Sequence, residues 1–430
     1  MRTLLKNRAL WSYSLAHFSV DLCAGSLPVM MVYLAQALNL TIAQTGFVIG
    51  AYAISSSLTQ PLFGYLSDRT GGRYQSALGL ACIAIFQGAL GFAPNYATLV
   101  GMACLAGCGS AAFHPHGASG ASRSGGTRKA AAMSIFMLGG NSGYAIGPVI
   151  AAAAMTALGV RGSLVIGAIG LALIPLVLSA QGHSHPADHT ARPSAALPGR
   201  HFGLLAIVAL MAIMFMRAWV QSATTAYIPA YFTEIVPLGV EAASRISSAN
   251  LFALAAGGLI GGVLADRFGR RRVMIASWLI YAPATLALFT VSEPAVYPFA
   301  VLAGFVAGAS WPPLIVMAQE LFPRNAGVAS GIALGFAFAM GGIGTAITGA
   351  LAEPDRLGLT GSLLMLAALP LISAIAALAL PPDRRSGAQS APDAGRQAAT
   401  AVACGHRSPE AALQSSLLCE RRSSPTSTAT

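Results

Sequence analysis

Two polar side chains interrupt the first apolar run of the chain and share one face of a helix. His17 and Asp21 are four residues apart, and Asp21 is the only acidic residue well inside the apolar runs of the first half. A carboxylate among apolar side chains is costly, so it needs a partner or a function. We predict that Asp21 carries a proton or serves as a counter-ion and that His17 lies at the substrate site. A structural ion pair is the alternative.

Arg217 is the only base well inside any apolar run, away from its ends. Its planar guanidinium can donate two parallel hydrogen bonds to an anionic group. We predict that Arg217 binds an anionic part of a substrate and that Asp21 competes for it. The alternative is a permanent Arg217–Asp21 pair that only holds two parts of the protein together.

Four further polar residues are candidates for proton transfer, ligand binding or gating. His114 precedes Pro115 at the end of the fourth apolar run, at 97–117. Histidine titrates near physiological pH, so we predict a role in proton coupling, with an inert boundary histidine as the alternative. Asn141 and Gln221 are predicted to bind substrate or, alternatively, to join helices. Glu320, at the end of the tenth run, is predicted to be a gate or loop contact.

The sequence gives no support for catalysis or a cofactor. No nucleophile, base and acid can be grouped by spacing, and the phosphate-binding pattern G-x-x-x-x-G-K-[ST] is missing. The six cysteines lack a nearby ligand cluster, and His183, His185 and His189 fit a polar linker better than a metal tract. We therefore predict no enzyme activity, no cofactor and no metal.

Apolar helices must position these side chains. The composition is 55% hydrophobic with only 9% charged residues, whereas soluble domains carry roughly 25% charged residues. Runs of about 20 apolar residues, the length that crosses a bilayer, recur twelve times. They lie near 9–36, 46–67, 75–93, 97–117, 130–156, 160–180, 202–232, 243–265, 273–292, 295–321, 325–351 and 358–380.

Basic residues lie in alternate loops between these runs. This asymmetry predicts that both termini are cytoplasmic, and it explains the net charge of +11 without a nucleic-acid partner. We predict an all-α membrane protein with six-helix bundles at 1–180 and 201–385. Residues 181–200 are predicted to be a cytoplasmic linker, and 386–430 a disordered cytoplasmic tail.

A loop motif occurs twice, at an offset of 198 residues. The first copy holds Gly64, Asp68, Arg69 and Gly71, and the second holds Gly262, Asp266, Arg267 and Gly269. Pro115 and Pro313 share the same offset. The repeat predicts two related halves with a substrate site between them. The motif is predicted to gate the protein, with its glycines allowing close helix contact and its Asp pairing with a base or a helix N-terminus.

This motif, G-x-L-x-D-R-x-G, resembles the signature of the major facilitator superfamily over roughly residues 9–380. Gly143, Gly147 and Pro148 resemble the family's antiporter motif, which implies a gating role for span five. Ala151 and Ala152 replace the last two glycines of that motif, which weakens the inference of antiport.

Three further segments resemble the fosmidomycin resistance branch of that superfamily, which exports drugs across bacterial inner membranes. They are His17-x-x-x-Asp21, Phe113-His114-Pro115, and Ser134-Ile135-Phe136 with Gly139-Gly140-Asn141. The drug of that branch is a phosphonate anion, so the resemblance implies a cavity with positive charge.

The leading functional prediction is proton-coupled efflux of a small, anionic drug by a multi-pass protein of the bacterial inner membrane. Its partners would be that small molecule, protons and the lipid bilayer, and it would act as a monomer. Proton-linked uptake of an organic acid is one alternative. A membrane sensor that transports nothing is the other.

Overall fold

The computed structural model describes residues 6–70, 74–180, 203–319 and 326–380, which lie in one compact unit. The regular structure of these residues is helical, with no strand among them. A helix pairs its own backbone N–H and C=O groups, whereas an apolar solvent offers these groups no hydrogen-bond partners. The all-α prediction is therefore confirmed for the described part of the chain.

The first half contains seven α-helices. They are α1 Arg8–Leu38, α2 Ile42–Leu58, α3 Gln60–Thr70, α4 Gln75–Ala89, α5 Tyr96–Ser124, α6 Lys129–Leu158 and α7 Ser163–Ala180. Asn7 starts α1 by accepting a hydrogen bond from the amide of Leu10, and Asn39 ends it with a φ of 51°.

The second half contains eight α-helices. They are α8 Leu204–Ala230, α9 Val240–Phe268, α10 Arg270–Leu288, α11 Val296–Ala309, α12 Trp311–Gln319, α13 Ala326–Leu351, α14 Gly358–Met365 and α15 Ala368–Ala376. A π-helical turn, Tyr231–Ile235, follows α8.

Prolines explain two breaks that divide predicted runs into shorter helices. The run 46–67 is interrupted at Thr59, two residues before Pro61, and the run 295–321 at Ser310. Pro312 and Pro313 cannot donate hydrogen bonds to the carbonyls of the preceding turn, so the helix ends there and restarts.

Eight segments of the described residues are long and apolar enough to cross a membrane. They are Arg8–Leu38, Gln75–Phe92, Tyr96–Ser124, Ala131–Ser179, Leu204–Ile235, Val240–Phe268, Val296–Ala318 and Gly358–Ala379. Gly335–Leu351 is a shorter apolar helix. Twelve crossings and cytoplasmic termini stay predictions.

Each half builds its own hydrophobic core. Residues between 10 and 177 form one cluster, and residues between 209 and 380 form the other. Large apolar side chains such as Leu204, Leu259 and Val263 are exposed, as expected for a surface that faces lipid. The predicted linker, at 181–200, and the predicted tail, at 386–430, lie outside the described residues.

Candidate functional site

A carboxylate in the first helix meets two histidines. Nε2 of His17 lies 3.1 Å from Oδ2 of Asp21, one turn away on α1. Nε2 of His114, on α5, lies 3.4 Å from Oδ1 of the same carboxylate. Each histidine therefore contacts a different oxygen. We call these three residues the Asp21 cluster.

Backbone carbonyls orient both imidazole rings. Nδ1 of His17 is 2.9 Å from the carbonyl oxygen of Phe136, and Nδ1 of His114 is 2.8 Å from that of Ser110. A carbonyl only accepts, so Nδ1 of each ring carries the hydrogen. An ionised carboxylate also only accepts. A hydrogen bond from Nε2 to Asp21 then needs a second proton, which makes that ring a cation.

The Asp21 cluster is enclosed on one side and open on the other. The His17 ring, 3% exposed, stacks on Phe136 at a centroid distance of 4.1 Å. Asp21 and His114 keep 21% and 26% of their side-chain surface exposed. A Cβ added to Gly140 would clash with Cε1 of His17 and lie 2.6 Å from Oδ2 of Asp21, so glycine lets α6 pass the cluster without displacing these side chains. The sequence motifs contained Gly140 but gave it no role.

The structure corrects the predicted end of the fourth run, which holds His114. We expected this residue at the end of the fourth run, but α5 continues to Ser124 and places His114 beside Asp21 in the helix interior. The small residues after His116 keep the helical backbone despite their low hydrophobicity. Hydropathy therefore ended the predicted span before the helix ends.

Arg217 forms a second polar site, in the other half. Its side chain is only 9% exposed, and Nη2 donates to the carbonyl oxygen of Ala307 at 3.2 Å. The guanidinium carbon lies 4.1 Å from the centroid of the Trp311 ring. Nε is buried without an acceptor, and the described residues provide no carboxylate within ion-pair distance.

The alternative of an Arg217–Asp21 pair is wrong for this conformation. Asp21 is engaged by His17 and His114, whereas Arg217 binds a backbone carbonyl. The repeat offset of 198 maps Arg217 onto Ser19, two residues from Asp21, which predicts a similar depth for Arg217 and Asp21 but does not require contact.

The break in the tenth run brings Trp311 and the Ala307 carbonyl to Arg217. The Ala307 carbonyl also accepts from the hydroxyl of Ser310, at 2.9 Å, where α11 ends. The sequence analysis missed this contact. The signal that could have found it is the Trp311-Pro312-Pro313 sequence inside an apolar run.

The other predicted substrate residues have different surroundings. Gln221, one turn after Arg217, donates to Oγ1 of Thr225 at 3.0 Å, and its Oε1 is buried without a donor. Asn141 is half-buried beside Gly140, and its side chain makes no hydrogen bond to another described residue. Glu320 lies outside the described residues.

The first glycine of each motif copy is not crowded, although the motif glycines were predicted to allow close helix contact. A Cβ added to Gly64 would lie 3.9 Å from Cβ of Pro115, and one added to Gly262 would lie 3.8 Å from Cβ of Pro312. These are ordinary contact distances, so crowding does not require glycine at either position here. The two copies nevertheless contact prolines of corresponding helices.

The polar residues of the motif are mainly on the surface. Arg69 lies 4.6 Å from the Tyr65 ring centroid, and Arg267 lies 5.2 Å from that of Phe268. Asp266 is exposed and forms no ion pair with a described residue, contrary to the predicted pairing.

The remaining motif positions are Gly269, Asp68 and Gly71. Gly269 ends α9 with a φ of 98°, a conformation that favours glycine. Asp68 lies in α3, and the surroundings of its side chain are not described. Gly71 lies outside the described residues.

The predicted antiporter motif packs α6 against α1. A Cβ on Gly143 would clash with the Phe18 carbonyl, and one on Gly147 would lie 2.6 Å from the Leu22 carbonyl oxygen. Pro148 cannot donate to the Tyr144 carbonyl. That carbonyl instead meets Gly25 of α1 closely enough to exclude a Cβ there.

The two halves also meet where α2 begins and α13 ends. The amide of Ala43 donates to Oε1 of Glu353 at 3.0 Å, so an acidic side chain of one half caps a helix of the other. A Cβ on Gly50 would lie 2.6 Å from the Gly342 carbonyl oxygen. This contact was not predicted from the sequence.

Comparisons with known proteins agree on the family. The chain matches the sequence profile of the Major Facilitator Superfamily over residues 13–244 and 210–421. It is 30% identical to the fosmidomycin resistance protein of Escherichia coli K12 over 381 residues, which cover 87% of this chain and 93% of that protein. It is 31% identical to an uncharacterised transporter of this type, YfnC of Bacillus subtilis, over 379 residues, which cover 86% and 92%.

Solved structures share the fold at low sequence identity. A bacterial homologue of the human lysosomal transporter Spinster, in an inward-facing and unoccupied conformation, matches with a TM-score of 0.74 and 17% identity, covering 89% of this chain and 99% of that one. The nucleoside transporter NupG matches with a TM-score of 0.68 and 17% identity, covering 87% and 98%. These findings confirm the predicted resemblance: the chain belongs to the major facilitator superfamily of membrane transporters.

Proposed function

We propose that this protein exports a small organic anion of the fosmidomycin type in exchange for protons, by alternating access. The observation that carries the proposal is Arg217, a buried guanidinium whose Nε has no acceptor and which has no carboxylate partner among the described residues. Burying an unpaired charge costs several kcal/mol, so a bound anion would stabilise it strongly. A phosphonate offers the oxygens that the planar guanidinium can bind in pairs.

The Asp21 cluster supports proton coupling. A proton on Nε2 of His17 or His114 joins that ring to the Asp21 carboxylate, and its loss leaves two acceptors facing each other. The contact between α1 and α5 therefore depends on proton occupancy. Arg217 and Asp21 do not form an ion pair in this conformation. Protonation of the Asp21 cluster and anion binding at Arg217 would therefore be coupled through helix movement rather than by direct contact.

The contacts between the halves support alternating access. The Glu353–Ala43 hydrogen bond joins the halves at the start of α2, and Gly50 closely approaches Gly342 further along the same helix pair. Separation of α2 from α13 would break both contacts. The close glycine packing of α1 on α6 would let the first half move as a unit.

Uptake of an organic acid with protons is the second candidate. It uses the same two sites in the reverse direction. The observation that favours it is the replacement of the last two glycines of the antiporter motif by Ala151 and Ala152. We assign either activity to a monomer in the bacterial inner membrane.

Drug accumulation in bacteria that lack their own exporter tests the proposal. We expect the wild-type protein to lower intracellular fosmidomycin and Arg217→Ala to restore it to the level without transporter. Arg217→Lys keeps the charge but loses the planar group that donates two parallel hydrogen bonds, so it should transport partially.

Arg161→Ala, which removes an exposed base elsewhere, is the matched control. If Arg217→Ala is expressed normally and exports normally, the substrate role of Arg217 is wrong. Higher accumulation with the wild-type protein would instead support uptake.

A further inference from the structure

We propose that His17, Asp21 and His114 form a binding site for one divalent transition-metal ion, with Zn²⁺ as the best fit. The inference rests on the geometry of the Asp21 cluster and does not depend on the substrate or the direction of transport, but the ion would compete with the coupling proton for Nε2 of each histidine. It replaces our expectation from the sequence that no metal is bound.

The separation of the donor atoms fits a tetrahedral ion. One ligand atom from each of the three residues lies within 4.8 Å of the others. The two nitrogen–oxygen distances across the cluster are 3.1 Å and 3.4 Å, each to a different oxygen of Asp21. Zn²⁺ binds nitrogen and oxygen at about 2.0–2.2 Å in a tetrahedron, which puts neighbouring ligand atoms roughly 3.3 Å apart. Movement of the two imidazoles toward one carboxylate oxygen, or binding through both oxygens, would admit the ion.

The surrounding hydrogen bonds prepare both histidines as ligands. The carbonyls of Phe136 and Ser110 accept from Nδ1 of His17 and His114, which leaves the Nε2 lone pair of each neutral ring directed at the cluster. Metal-binding histidines are almost always held in this way by a carbonyl or carboxylate on the other nitrogen. A cation between Nε2 and the carboxylate would also remove the unfavourable contact between two acceptors.

The composition and exposure of the cluster indicate which ion it accepts. Two imidazoles and one carboxylate suit Zn²⁺, Co²⁺ and their neighbours, whereas Mg²⁺ and Ca²⁺ prefer oxygen ligands. The exposed parts of Asp21 and His114 leave one side open for entry and for a water as fourth ligand. The buried side is fixed by the stacking of His17 on Phe136 and by the contact with Gly140.

Cobalt spectroscopy on the purified full-length protein in detergent tests the site. We expect one Co²⁺ per chain with the strong visible absorption of a tetrahedral complex, displaced by an equal amount of Zn²⁺. His114→Ala and Asp21→Asn should weaken binding by at least tenfold. His114→Cys keeps a ligand and should add an absorption band from sulfur to cobalt.

A matched variant excludes binding elsewhere. The triple variant His183→Ala, His185→Ala, His189→Ala removes the histidine tract at 181–200 and should bind as the wild type does. Failure of the wild-type protein to bind Co²⁺ would overturn the proposal. An unchanged Co²⁺ affinity in His114→Ala would overturn it too. The proposal would also fail if the triple variant lost Co²⁺ binding and His114→Cys showed no new absorption band. Drug accumulation measured in parallel separates failure of the metal site from failure of the transport proposal.

Discussion

Arg217 lies with its guanidinium carbon 4.1 Å from the centroid of the Trp311 ring, and the first half contains a related contact. Trp311 follows Phe113 by 198 residues, the repeat offset, and the Phe113 ring lies 6.1 Å from that of His17. In both halves, therefore, a polar side chain of the first span contacts the aromatic residue at the matching position of the fourth. The repeat therefore places an aromatic ring beside a polar side chain in both halves, an imidazole in the first and a guanidinium in the second.

Removal of the Trp311 ring should weaken transport without abolishing it. A cation–π contact contributes about 0.5–2 kcal/mol, which corresponds to about 2–30-fold in affinity. We expect the KM for the anion to rise within that range in Trp311→Ala, whereas Trp311→Phe keeps a ring and should change less. Transport kinetics in membrane vesicles would measure this, and an unchanged KM in Trp311→Ala would argue against a role for the ring.

Gly140→Ala should disrupt the Asp21 cluster. The added methyl carbon would lie 2.6 Å from Oδ2 of Asp21, so the carboxylate or α6 must move. We expect loss of transport together with a lower melting temperature. Gly101→Ala is the matched control, because a Cβ there meets no atom within 4 Å. It should stay active and be unchanged or slightly more stable. Normal transport by Gly140→Ala would show that the cluster tolerates displacement.

The two glycines of the second motif copy should respond differently to alanine. Gly269 has a φ of 98°, and an L-residue in such a region costs about 1–3 kcal/mol. Gly262 has helical geometry and space for a methyl group. Thermal unfolding should therefore show clear destabilisation for Gly269→Ala and little for Gly262→Ala. The opposite order would mean that packing, not backbone conformation, selects glycine in this motif.

Glu353→Gln should loosen the contact between the halves. The carboxylate caps the start of α2, and a negative charge at a helix N-terminus contributes about 0.3–1 kcal/mol. We expect faster amide exchange in peptides that contain Ala43 and Gly342, measured by hydrogen–deuterium exchange mass spectrometry. Glu241→Gln, at an exposed acid, serves as the control. Equal amide exchange in both variants would show that the Glu353 carboxylate does not hold the halves together.

Much of the fold could be predicted because lipid imposes simple rules. Length and hydropathy located the helices, and the repeat at 64 and 262 indicated two related halves. The breaks at Thr59 and Ser310 were not predicted, because hydropathy averages over prolines that end a helix locally. The end of the fourth run, at 117, was placed before the end of its helix, since a helix can continue through residues of low hydropathy.

The candidate site was predicted in its residues but not in its contacts. His17 and Asp21 could be paired because a four-residue spacing fixes their geometry on one helix. The third member, His114, lies on another helix, and no local rule gives the packing of α1 on α5. Arg217 was assigned a competing partner in Asp21, whereas its contacts are with Ala307 and Trp311.

Proton movement in everted membrane vesicles tests the central claim most directly. An interior-acid gradient is established, fosmidomycin is added, and the release of protons is followed by the recovery of a quenched pH dye. We predict release with the wild-type protein and none with Asp21→Asn or Arg217→Ala, both present at wild-type levels. Drug-dependent release that persists in Asp21→Asn would contradict the account.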